Sequence, residues 1–154
     1  MSQQIDLLAV ARRGAASLVE GLSPAVLTTI PEGFNNNLLW QLGHLVVTQQ
    51  VLCYKLSGLP MAVDDETCAL FMKGSKPREW GNASLPDGAR LAEQAVGLVD
   101  RLRVDYDRGV FKDFQVYTTS TGYVLNDIDD AIAFNNFHEG VHLGEMRALR
   151  RLVG

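Results

Sequence analysis

Residues 37–57, NLLWQLGHLVVTQQVLCYKLS, constrain the fold more than any other stretch of this chain. Asn35, Asn36 and Asn37 offer cap side chains for the orphan N–H groups at a helix start. Gly58-Leu59-Pro60 ends the pattern. Between these signals lie Leu38, Leu39, Trp40, Leu42, Leu45, Val46, Val47, Val51, Leu52, Cys53, Tyr54 and Leu56. At about 100° per residue they cover most of the helix circumference. A helix that is apolar nearly all round belongs at the centre of a bundle. Its polar residues Asn37, Gln41, His44, Thr48 and Lys55 fall on one narrow stripe.

The rest of the chain predicts partners for that central rod. Ile5, Leu8, Ala11/Ala15, Leu18 and Leu22 recur at helical spacing over residues 2–21, with Ser2 as a cap, Gly21 and Ser23-Pro24 as the stop, and Arg12 and Arg13 on the wet face. Leu91, Ala95, Leu98, Leu102 and Tyr106 form the apolar stripe of a third helix over 87–106, with Glu93, Asp100, Arg101, Arg103 and Asp105 toward water. A fourth helix runs over 127–152. Asn126 or Asp127 caps it, acids occupy its first turn, and Arg147, Arg150 and Arg151 complement its carbonyl end. Residues 58–86 read as a long excursion with one helical turn near 66–72. The aromatic and β-branched residues of 111–125, flanking Ser-Thr-Gly, read as a small hairpin. The expected fold is all-α: a four-helix bundle with long crossover connections, in one domain spanning residues 1–154.

Charge and cysteine content narrow the partners. A net charge of −4 gives no general attraction for nucleic acid. No apolar run reaches the length of a bilayer span, and Met1–Asp6 lacks the blocks of a signal peptide. Two cysteines make no disulfide framework, which points to reduced thiols in a cytoplasmic protein.

All three histidines fall within expected helices. His138 and His142, four residues apart, sit one above the other on one face. His44 lies on the polar stripe of the central helix. If the two stripes face each other, three imidazoles meet inside the bundle. Neutral imidazoles suit a divalent ion, Zn or Ni first and Fe or Mn next. Three protein ligands leave a position for water or substrate, the arrangement of a catalytic site. The pair alone does not specify metal, since His is also a common polar surface residue. The conjunction does more, because every histidine of the chain fits one site.

Neighbouring residues rank by face. Glu145 lies on the His138/His142 side, where it can hold a ring N–H or act as a base. Asn135 shares that side. Gln41 and Thr48, a turn either side of His44, can hydrogen-bond a bound water or substrate, although ordinary helix polarity also accounts for them. Glu139 is about 100° from His138 and faces elsewhere. Cys53 falls on the far side from His44, in the core, and Cys68 has no basic neighbour to activate it. Gly43, Gly140 and Gly144 interrupt helices at about 1 kcal/mol each, which a close crossing or bulky neighbour usually offsets.

The segment Asn37-Leu38-Leu39-Trp40-Gln41-Leu42-Gly43-His44-Leu45 resembles the W-x-x-G-H segment of the DinB-like superfamily. Phe137-His138-Glu139-Gly140-Val141-His142-Leu143-Gly144 resembles its closing H-x-x-x-H-x-G helix, and Tyr117–Gly122 is similar to the same branch. The resemblance covers nearly the whole chain. It implies a four-helix bundle with a long crossover and a divalent metal held by His44, His138 and His142. It further implies thiol-dependent transferase or isomerase chemistry, or metal-dependent hydrolysis, and frequent homodimers.

The functional expectation is therefore a divalent-metal-dependent enzyme acting on a small molecule, with a low-molecular-weight thiol as a candidate co-substrate, and no nucleic-acid or membrane partner. The alternative is a non-catalytic metal- or ligand-binding module of the same fold. Residues 58–86 and 110–125 are expected to shape the pocket mouth.

Overall fold

The computed structural model describes residues 2–154, without the side chain of Ser2, so the cap expected of Ser2 lies outside the described residues. The chain is mostly helical: α1 (Ser2–Ser17), α2 (Pro24–Thr28), α3 (Leu38–Gln49), α4 (Asp65–Phe71), α5 (Gly88–Asp107) and α6 (Ile128–Val153), with two short strands, β1 (Tyr117–Thr118) and β2 (Val124–Leu125). Asn37 and Asp127 cap α3 and α6 as expected, and Asp87, read from the sequence only as a helix start, caps α5; each accepts a backbone N–H three residues on. The first helix ends four residues earlier than its pattern suggests, and Ser23-Pro24 starts the short α2 instead of merely stopping α1.

The central rod does form, but not as one regular helix. After Gln49 it widens into a π-helical segment, Gln50–Lys55. A bond spanning five residues, Leu56 N to Val51 O, marks the widening, and Gly58 at φ 68° then ends the rod, with Leu59 N bonded back to Tyr54 O and Gly58 N to Lys55 O. An extra residue in a turn rotates the downstream part of the helix by about 100°. The rod accordingly serves two apolar clusters. Leu38–Val47 pack with Ala15, Phe71, Leu91 and Met146, whereas Leu52, Cys53 and Tyr54 pack with Ile5, Leu8, Val99 and Ile132.

The rod is enclosed by its neighbours. α3 packs on α4, α5 and α6, while α1 packs on α5 and α6. Nearly every α3 residue is buried, including the polar Gln41, His44 and Gln49. Between α5 and α6, β1 pairs antiparallel with β2, Tyr117 opposite Leu125. Gly122 takes φ 84° in the intervening turn, where a side chain would be strained. No helix among the described residues is long and apolar enough to cross a membrane.

Arg12 corrects the expectation of a wet face. Arg13 is exposed, but Arg12 is 0% exposed at the centre of the fold. Its Nε and Nη2 donate to the two oxygens of Glu139, at 2.6 and 3.1 Å. Nη1 donates to Ala95 O at 3.1 Å and Gln49 Oε1 at 3.4 Å, and Nη2 also to Leu45 O at 3.2 Å. Five N–H groups thus meet five acceptors on three other helices. A guanidinium can be buried here because nothing on it is left unpaired. Glu139 does face away from the histidines, toward this ion.

Candidate metal centre

The Trp40-x-x-Gly43-His44 segment has a mechanical explanation. Trp40 stacks on the His44 ring, centroids 4.5 Å apart and planes 10° from parallel. Its indole Nε1 donates to Ser75 Oγ at 2.9 Å, which fixes the stack from the loop after α4. Gly43 leaves room for Phe71, since a Cβ there would stand 2.3 Å from the Phe71 ring. Phe71 closes α4, and its carbonyl accepts from His44 Nδ1 at 2.8 Å. A carbonyl only accepts, so Nδ1 carries the ring proton and Nε2 is a bare lone pair.

The other two rings come from α6, which faces α3 across the site. His142 Nδ1 donates to Gln41 Oε1 at 2.5 Å, which leaves its Nε2 free as well. His138 Nε2 stands 3.2 Å from His44 Nε2. His44 Nε2 has no proton, so a proton or a cation must lie between these two nitrogens. Two ligands about 2.0–2.1 Å from a tetrahedral ion are themselves about 3.3 Å apart. One potential ligand atom from each ring lies within 4.8 Å of the others. His138 Nδ1 is buried without a hydrogen-bond partner among the described residues.

Electrostatics keeps these rings in the ligating form. Burial lowers the pKa of His44, against the upward pull of the Phe71 carbonyl. Burial, the neighbouring rings and Arg12 push His138 down to about 2, and burial with His44 takes His142 to about 4. All three are neutral at pH 7, as a divalent ion requires. The donor set, its tautomers and its spacing therefore fit a three-imidazole metal centre.

The other sequence candidates fall unequally around the rings. Gln41 is fully buried and holds His142. Thr48 Oγ1 is 3.4 Å from His44 Nε2 and lines the adjoining cavity. Asn135 is fully buried, with its amide nitrogen on Ala131 O and Cys53 Sγ and its oxygen unpartnered. Glu145 is half-buried and makes no hydrogen bond or ion pair among the described residues. Cys53 is in the core, and burial pushes its thiol up to about 12. Gly140 and Gly144 correct the expectation of close crossings. No atom lies within 4 Å of a Cβ at either, so only Gly43 answers to a bulky neighbour.

Sequence reasoning missed the Phe71 carbonyl, the Ser75 hydroxyl and the Arg12–Glu139 pair. A main-chain acceptor has no sequence signature. The Arg12–Glu139 pair joins residues 127 apart, and only its place on the apolar side of α1, beside Leu8 and Ala15, hints at burial. A family model described as the DinB superfamily matches residues 7–146. No curated protein matches the chain closely enough to be called a relative. On that match, with the three histidines gathered where the family resemblance requires them, the chain belongs to the DinB superfamily.

Proposed function

We propose that this protein is a divalent-metal-dependent enzyme built on a single four-helix-bundle domain with long crossovers, with His44, His138 and His142 as the metal ligands. The convergence of three neutral imidazoles carries the reading. A divalent ion bound there, Zn or Ni before Fe or Mn, supplies Lewis acidity toward a thiol or a water.

The chain's own residues set the rest. Phe71 O and Gln41 Oε1 hold two ring protons away from the centre. Trp40 shields one face of His44 from water. Thr48 offers a hydroxyl to the reacting group, whereas Asn135, expected to bind there, is fully buried against Cys53 and Ala131 and does not line the cavity. No carboxylate joins the histidine cluster among the described residues, and Glu139 is occupied by Arg12. Glu145 is the remaining candidate base, by its face on α6. That scarcity of bases favours thiol-dependent group transfer over hydrolysis, since a thiol ionises far more readily than water.

A cytoplasmic setting accords with the free thiols of Cys53 and Cys68. A homodimer belongs to the same reading, supported by exposed Leu7, Val10, Phe137 and Val141.

Elemental analysis of the purified protein tests the centre directly. About one divalent ion per chain is expected, and His138→Ala lowers it at least tenfold while the helical circular dichroism persists. Unchanged stoichiometry in that variant would defeat the assignment. A panel of thiol-conjugation and hydrolase substrates on the loaded protein then separates transfer from hydrolysis, and silence across both would favour the non-catalytic module.

A further inference from the structure

A cavity of about 180 Å³ adjoins the histidines, with His44 and His138 on its wall. His44 is only 5% exposed and marks the inner end. Val47, Val51, Leu52 and Phe134 make the sides apolar. An apolar cavity of about 150 Å³ accepts a benzene ring, so this one takes a body of about one ring with a short tail. Lys73 is the one charged side chain on the wall among the described residues, and it is exposed, which places it at the outer end. Lys73 makes no ion pair among the described residues, whereas Lys76 is paired with Glu79. Glu66 shares with Lys73 a second, outer groove and forms no pair with it among the same residues. Ser120 and Tyr117 add hydroxyls on the hairpin side.

We propose that this cavity binds a small carboxylic acid with a ring-sized apolar body, the body between α3 and α6 and the carboxylate on Lys73. The far end of the body then faces His44 and His138, where the reacting group belongs. The proposal names the substrate class of the metal centre and rests on that reading for the reaction, though not for binding. One ammonium with neighbouring hydroxyls suits a monoanion. A phosphate would call for several convergent N–H donors, which the wall lacks.

Titration calorimetry of the full chain, zinc-loaded and zinc-free, with 3-phenylpropionate and its neutral amide tests this. The acid should bind about three- to fivefold more tightly than the amide, the size of an exposed ion pair, and the preference should shrink in high salt. Lys73→Met, a surface change that leaves the core intact, should bring the acid to the level of the amide and leave the amide unchanged. Val51→Phe should weaken both by filling the cavity. Failure of the folded protein to bind the acid, equal binding of acid and amide, or a preference that survives Lys73→Met would overturn the proposal. Binding of the acid that needs zinc and ignores Lys73 would place the carboxylate on the metal and overturn it equally. A chain that takes up no zinc yet shows the Lys73-dependent preference would defeat the metal reading and leave this one standing.

Discussion

Arg12 and Glu139 show how much a single pair can weigh when both members are out of water. Their charges cost several kcal/mol each to desolvate, and only complete pairing offsets that. Arg12→Met leaves the Glu139 carboxylate fully buried with no cation. A loss of about 3–5 kcal/mol is expected by urea unfolding. The double variant Arg12→Met with Glu139→Leu should cost less than Arg12→Met alone, because no ion remains to be stranded. A double variant at least as unstable as the single would show that the pair contributes attraction beyond its mutual neutralisation. Arg12 hydrogen-bonds Leu45 O, one residue after His44, and Glu139 comes directly after His138. The pair therefore ties α3 to α6 beside two of the three rings.

At the scale of elements, the centre depends on where α4 lands on α3. The Phe71 ring occupies the space that a side chain at residue 43 would take, and its carbonyl fixes the His44 tautomer. Gly43→Ala should push Phe71 off that seat. The expected results are about 1–3 kcal/mol of lost stability from overpacking and a metal affinity about 10- to 100-fold weaker from the loss of the ring's anchor. Competition with a chromophoric chelator measures the second. Unchanged affinity with lowered stability would mean that the Phe71 carbonyl does not orient His44. The long helices were legible in the sequence because their caps and stripes act locally, as Asn37 and Asp127 show. The widening at Gln50–Lys55 was not, since Val51, Leu52, Cys53 and Tyr54 are apolar and suit any helical pitch. Nor was α2, whose five residues are too few for a periodic pattern.

For the whole molecule, folding gathers three imidazoles that would be apart in the unfolded chain. In the unfolded chain they titrate near 6.5, whereas in the folded, metal-free protein burial keeps them neutral, His142 down to about 4. Below pH 6.5 the unfolded state takes up protons that the folded state refuses, so stability is full above that pH and falls as pH drops toward 4. Zinc at 100 times its dissociation constant should add about 2.7 kcal/mol, an addition that also fades with acid because protons compete for the same nitrogens. Unfolding curves at pH 7 and 5, with and without zinc, measure both effects, and a pH-independent midpoint would contradict the neutral-ring account. The gathering of His44, His138 and His142 was legible because one stripe on each of two helices admits few arrangements. The two connections beside it were legible as well, since Lys73, Thr119 and Ser120 fall within 58–86 and 110–125, but which of their residues line the cavity was not, because no periodicity fixes the paths of those connections. The wide turn after Gln49 gives the rod two phases, like a shaft with an offset coupling. Deleting one residue from 50–55 would leave the angular setting of His44 intact while swinging Cys53 and Tyr54 out of their cluster, so damage there should surface as lost cohesion around α1 and not as lost metal.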